Sequence, residues 1–182
     1  MKLEEFKERV KDYQLLEPGN LRKKSVEEYA ETVAKKYLQL KNKEWLADEY
    51  ELDIKNFVRD LGGKITCVEA DEFSGWNGSI YIHKISDFDI ILPSYTSVLR
   101  DKFTLAHEMG HYFLHFNSSD EKKMAARMGT GQIEWEANWF AASLLMPKSL
   151  ITEKHLDTTF AIASYFGVSL QAADIRRESL ND

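Results

Sequence analysis

Two histidines and a glutamate in the stretch Phe103 to Phe116, FTLAHEMGHYFLHF, have types and spacing that suit metal-assisted hydrolysis, because His107, Glu108 and His111 form an H-E-x-x-H pattern. On a helix, four residues advance the axis by about 6 Å and return close to the starting azimuth, so the two imidazoles can meet one ion. Glu108 lies about 100° round from His107, poorly placed as a ligand and well placed as a general base on a water near the ion. Two histidines on an apolar helix can also be no more than partly buried polar residues. The flanks decide between the two. Phe103, Leu105, Ala106, Met109, Tyr112, Phe113 and Leu114 are apolar on nearly every side, and a helix buried all round makes an unpaired imidazole or carboxylate costly. Gly110, mid-helix, costs about 1 kcal/mol against alanine. That cost points to a close neighbour, a strand or a substrate backbone.

A catalytic zinc usually takes three protein ligands and keeps one position open, so a third donor must come from elsewhere. His115 is one turn past His111, but it has drifted about 40° further round the helix and about 6 Å along it, out of reach of a shared ion. The apolar run Gln132 to Met146, QIEWEANWFAASLLM, stopped by Pro147, predicts a second strong helix and offers Glu134 and Glu136. Two residues apart, they lie about 200° apart on the helix, so only one can face the ion. Glu134 is the better candidate. It shares a face with Ala137, Asn138 and Ala141, whose small size permits close helix packing, and Asn138 could hydrogen-bond a ligand histidine. Glu136 then faces solvent or orders a neighbouring side chain.

These helices need a scaffold. Ser25 to Glu28 has the form of a capping box ahead of an apolar stripe, Val26, Tyr29, Ala30, Val33, Ala34, Tyr37 and Leu38, which predicts an amphipathic helix. A short helix before Pro18 and a further one from Trp45 to Leu61, ended by Gly62-Gly63, are also expected. After the double glycine the period changes. Lys64 to Glu69, Ser79 to His83 and Asp89 to Leu92 read as three short strands of a small sheet, and the motif helix begins between Ser97 and Lys102. His83 is a lone histidine in a strand-like stretch, and no site role is expected of it. Asn117 to Gly131 reads as a loop. Thr158 to Phe166, Gly167 and Leu170 to Leu180, with Ser169 as N-cap, read as helix, turn, helix.

The 182 residues, 43% of them hydrophobic, are enough for one domain with a core. No apolar run approaches the roughly 18 residues of a membrane span, and the charged start lacks a signal-peptide core, so a cytoplasmic protein is expected. Cys67, the single cysteine, excludes an intrachain disulfide and reads as a buried, inert thiol. The net charge of −6 argues against a broad nucleic-acid surface. In the tail, Arg176 and Arg177 are offset by Asp174 and Glu178, so direct DNA contact is not expected, and a structural or protein-docking role is.

TLAHEMGHYFLH followed by EWEANWFAASLLMP resembles the ImmA/IrrE family of zinc metallopeptidases, within the gluzincin group, from about Ser79 to Pro147 and more loosely to the C-terminus. The resemblance implies a zincin-like α+β domain, and the residue pattern divides the chain into a helical segment at 1–62, a catalytic core with a small three-stranded sheet at 63–156 and a helical pair at 157–182 that resembles a helix-turn-helix tail. It implies one zinc held by His107, His111 and Glu134, with Glu108 as catalytic base. Members of this family are commonly encoded by phages and mobile elements or act in stress responses, and several are linked to cleavage of helix-turn-helix repressors. The resemblance thus implies a transcriptional repressor as partner and substrate.

Two function classes follow, a zinc endopeptidase and a metal-stabilised binding module that sequesters a repressor. Retention of Glu108 favours the enzyme, since a structural metal site needs no base. For the oxyanion, Tyr112, Arg127, His155 and Tyr165 are all candidates, and composition does not choose among them. Oligomeric state is not legible in the residues.

Overall fold

The computed structural model describes Phe6 and residues 19–69, 75–116 and 131–180. The helix expected before Pro18 and the loop expected at 117–131 fall almost wholly outside these. Helix α1, Lys23–Leu40, buries the seven apolar residues of its stripe, as their spacing predicts. It starts two residues before Ser25, with Arg22 at the N-cap position and no side-chain cap, so the capping box does not form. Tertiary contacts set the start instead. The Leu21 backbone N–H donates to Glu136, and Lys23 Nζ donates to the Ser179 carbonyl at 2.6 Å.

The helix expected over Trp45 to Leu61 is much shorter. Helix α2 is Ile54–Asp60, capped by Asp53, whose side chain accepts from the backbone of Lys55 at 2.9 Å and Asn56 at 3.1 Å. The chain before Asp53 spends its hydrogen bonds on other elements. Tyr50 Oη donates to the Leu144 carbonyl at 2.7 Å, and Tyr165 Oη donates to the Ala47 carbonyl at 2.8 Å. An aromatic cluster of Trp45, Tyr50 and Phe166 forms around them.

Gly62, at φ +92°, makes the sharp entry into the sheet, where a Cβ would sit on the Ser86 carbonyl. Strands β1 Gly63–Val68, β2 Ser79–Lys84 and β3 Asp87–Pro93 then form a three-stranded sheet in the order β1-β3-β2. β1 runs parallel to β3 and β2 antiparallel to it, with Ile65 opposite Ile90 and Ile80 opposite Ile90 on either side. Ile80, Ile82, Phe88, Ile90 and Leu92 are buried. Cys67 is exposed, contrary to the buried thiol expected, because β1 is an edge strand whose middle residues face outward. His83 is exposed too, paired with Asp89 at 2.7 Å.

Helix α3, Val98–Leu114, carries the H-E-x-x-H pattern and is capped by Ser97, which accepts from the Arg100 backbone. Helix α4, Gly131–Leu145, packs against it. Gly110 is the point of closest approach, where a Cβ would lie 2.9 Å from Ala137 Cα. The close neighbour at this glycine is therefore a helix, not a strand or a substrate backbone.

After Pro147 come α5 Lys148–Glu153, α6 Thr159–Phe166 and α7 Leu170–Ser179. Gly167, at φ +58°, makes the turn between the last two, and Ser169 caps α7 by accepting from Ala172. The tail differs from expectation at Arg176. Its side chain is fully buried, donating from Nε to the Met146 carbonyl at 3.0 Å and pairing with Glu27 of α1. It ties tail to scaffold and offers no charge to a partner, whereas Arg177 stays near the surface with Thr159 and Asp174. Arg176→Ala leaves Glu27 without its buried partner and is expected to cost about 3 kcal/mol in chemical denaturation. Arg177→Glu is expected to change stability little, and equal losses in the two variants would contradict this assignment.

Candidate metal centre

Five residues of α3 and α4, His107, Glu108, His111, Glu134 and Asn138, line a cleft of about 410 Å³, bordered by Gly75 to Gly78, Arg100, Phe103 and Thr104. His107 Nε2 and His111 Nε2 lie 3.1 Å apart. The Glu134 carboxylate reaches both, with Oε2 3.3 Å from His107 Nε2 and Oε1 3.4 Å from His111 Nε2. Among the described residues these three form a group whose ligand atoms all lie within 4.8 Å of one another. Three donors on a tetrahedral zinc, with bonds of about 2.0–2.2 Å, stand roughly 3.3–3.5 Å apart, so the group fits that ion.

The outer hydrogen bonds of the two imidazoles make the fit sharper. His107 Nδ1 lies 2.9 Å from Asn138 Oδ1, the contact that the shared face of Glu134 and Asn138 predicts. Asn138 accepts there, so His107 carries its proton on Nδ1 and turns the Nε2 lone pair inward. His111 Nδ1 lies 3.0 Å from His115 Nδ1, and His115 Nε2 lies 3.0 Å from Glu136 Oε2. Among the described residues the remaining hydrogen-bond partners of Glu136 are donors: the backbone N–H groups of Gly19 at 3.0 Å and Leu21 at 2.8 Å, and Gln132 Nε2 at 3.4 Å. The carboxylate therefore accepts from His115 Nε2. That leaves His115 Nδ1 as acceptor, His111 Nδ1 as donor, and the His111 Nε2 lone pair facing inward. Two lone pairs and a carboxylate converge on one point, an arrangement that attracts a cation.

Glu136 does not face solvent. It is completely buried, and orders His115. The two glutamates thus point to opposite ends of the site, as their separation round the helix requires, with Glu134 toward the histidine nitrogens and Glu136 toward the scaffold. His115 stands outside the ligand group and contacts His111 from behind.

The electrostatics follow the same division. Burial opposes charge on His107, but in the protonated ring a hydrogen bond to Glu134, with the Glu108 and Glu134 charges, outweighs it and holds its pKa above the ordinary value. Burial, with His107 and His115 nearby, holds His111 well below its ordinary value. Burial also lowers His115, against the pull of Glu136. The His107 hydrogen bond lowers Glu134 despite partial burial. Glu108 is pushed up to about 7, mainly by burial, with Glu134 adding to the rise and His107 and the Ile80 backbone N–H opposing it. Among the described residues its Oε2 has no hydrogen-bond partner. A buried carboxylate with one free oxygen and a pKa near neutrality is suited to proton transfer.

Three of the oxyanion candidates lie elsewhere. Tyr112 Oη accepts from the Ser86 backbone at 3.2 Å, Tyr165 bonds Ala47, and His155 sits in a left-handed turn after α5, none of them lining the cleft. Arg127 is outside the described residues. Among the described residues the cation that lines the cleft is Arg100, whose side chain donates to Asn77 Oδ1. Its spacing was a usable signal. Seven residues before His107 is about two helical turns, hence the same face.

An α+β domain with a His/His/Glu group beside a buried carboxylate, one oxygen of which has no hydrogen-bond partner among the described residues, has the parts of a metal-dependent peptidase. The family model of the IrrE N-terminal-like domain, a peptidase family, matches residues 71–178. That is more than half of the 182-residue chain, and the protein belongs to this family. Its three-stranded sheet and surrounding helices are a zincin-like α+β fold. Comparison with curated proteins finds no match.

Purified protein is expected to hold about one zinc per chain, and alanine at His107, His111 or Glu134 to lower the zinc retained after dialysis against a chelator. Metal analysis checks this. Full retention by Glu134→Ala would remove Glu134 from the ligand set.

Proposed function

We propose that this chain is a zinc-dependent endopeptidase that makes limited cuts in a cytoplasmic protein, namely a helix-turn-helix transcriptional repressor. The observation that carries the catalytic half of this reading is Glu108. It is buried beside the His/His/Glu group with one oxygen unpaired among the described residues, at an energetic cost that a structural metal site would not need. His107, His111 and Glu134 would hold the ion, which when bound supplies a Lewis acid at the bottom of the cleft. Glu108 takes the proton of the attacking water and delivers it to the amide nitrogen as the C–N bond breaks. Asn138 keeps the His107 ring in register.

The sheet supports an extended substrate. Among the described residues β2 is an edge strand, and the Ile80 backbone N–H points to Glu108, so that edge of β2 borders the reacting group. A peptide laid along that edge gains main-chain hydrogen bonds only where its own backbone is unpaired, as in an interdomain linker. One cut there separates a repressor's DNA-binding and oligomerisation halves and weakens operator binding through lost effective concentration. The family's link to repressors supports this substrate class. No described helix is long and apolar enough to cross a membrane.

A second reading, sequestration of the repressor without cleavage, draws on a largely apolar groove of about 790 Å³ that shares Arg100, Phe103 and Asn138 with the metal cleft. Its wall includes exposed Leu99, Trp135 and Ile175. Co-expression with a repressor encoded beside this chain separates the two readings. Wild-type protein is expected to produce a single linker cut, mapped by mass spectrometry, and Glu108→Gln to produce none while keeping its zinc. A repressor left intact yet displaced from DNA by both forms would establish sequestration instead.

A further inference from the structure

We infer that Glu136 and His115 are positioning residues for His111, and that through them the segment Gly19 to Leu21 helps to hold the metal site together. The inference rests on the metal-binding reading above and adds residues that are not ligands. Glu136 is completely buried on α4, with its Oε1 taking the Leu21 N–H and its Oε2 taking both the Gly19 N–H and His115 Nε2. Among the described residues every other hydrogen-bond partner of Glu136 is a donor, so the proton between Glu136 and His115 belongs to His115. From there the tautomers are forced in sequence. His115 presents a lone pair on Nδ1, His111 must donate from its own Nδ1 at 3.0 Å, and His111 Nε2 is left unprotonated toward Glu134.

A histidine can bind a metal through Nε2 only in that tautomer, so the chain of contacts selects the ligand-competent form of His111 before any ion arrives. Asn138 does the same for His107 from the other end of the site. The two supports differ in origin. Asn138 belongs to α4 itself, whereas the His111 support runs through Glu136 to a segment more than 110 residues away in sequence, before α1 and outside the 71–178 family match. That segment anchors the carboxylate with two backbone N–H groups. The carboxylate in turn fixes the histidine.

The test uses the full chain, with zinc as the ligand and a chromophoric chelator as competitor. His115→Ala removes the acceptor for His111 Nδ1 and is expected to weaken zinc binding by about 10–100-fold. His115→Asn, whose Oδ1 can replace Nδ1 as acceptor, is expected to stay within a few-fold of wild type. In Glu136→Gln, an amide N–H opposes a donor whichever way it is turned: Leu21 N–H on one side, or Gly19 N–H and His115 Nε2–H on the other. That variant is expected to lose affinity, and to lose much less when His115 is already asparagine, because the relay no longer passes through residue 115. An effect of Glu136→Gln that is the same in both backgrounds, or an asparagine variant as weak as the alanine one, would overturn the relay and leave Glu136 a structural carboxylate only.

Long-range ¹⁵N spectra of histidine-labelled, metal-free protein give an independent reading. His115 is expected as the Nε2–H tautomer and His111 as the Nδ1–H tautomer, and either one reversed contradicts the inference. This reading also separates the two levels of the account. Failure of wild-type protein to bind zinc would refute the metal centre, while the tautomers would still decide the relay.

Discussion

The constraint on which this structure depends is the convergence of two imidazole lone pairs and a carboxylate inside a tightly packed pair of helices. Bringing His107, His111 and Glu134 together requires α3 and α4 to approach at Gly110 and Ala137, where a Cβ on residue 110 would press on the Ala137 backbone. The same closeness strips water from the imidazoles, and an unpaired ring nitrogen in such a place is costly. Each ring is therefore given a partner for its outer nitrogen, Asn138 for His107 and His115 for His111. Those partners do more than satisfy a hydrogen bond. They fix which nitrogen faces inward.

Most of the remaining scaffold serves this convergence. The sheet lies against α3 and brings the edge of β2, with the Ile80 N–H, to Glu108. The α1 helix packs against α4, and the residues just before it supply the backbone donors that hold Glu136. The tail is pinned in turn by Arg176, which reaches the Met146 carbonyl at the end of α4 and Glu27 on α1. Buried polar contacts thus join α1, α4 and α7, elements that apolar packing alone would leave free to shift in register.

What the residue pattern discloses is local, and what it conceals is pairwise. The stripe of α1, the three β-branched runs, the Ser97 and Ser169 caps and the helix-turn-helix outline are all legible because periodicity and capping act within a few residues. A helix was expected from Trp45, but Tyr50 donates to the distant Leu144 carbonyl and the Ala47 carbonyl accepts from Tyr165, contacts that no window of sequence displays. Glu136 and Arg176 mislead for a related reason. Charged residues on a helix are normally at the surface, and these two are buried because partners over a hundred residues away neutralise or saturate them. The grouping of His107, His111 and Glu134 was accessible because helical geometry constrains it. His115 could be excluded from that group on the same grounds, but its place behind His111 depends on Glu136 and could not be read.

X-ray absorption at the zinc edge of the loaded, full-length protein tests the central claim most directly. The account predicts a first shell of nitrogen and oxygen at about 2.0–2.2 Å, with the outer scattering of two imidazoles. Either His107→Ala or His111→Ala should remove one of the two. A shell of oxygen alone, with imidazole scattering missing from the wild-type protein, would contradict it.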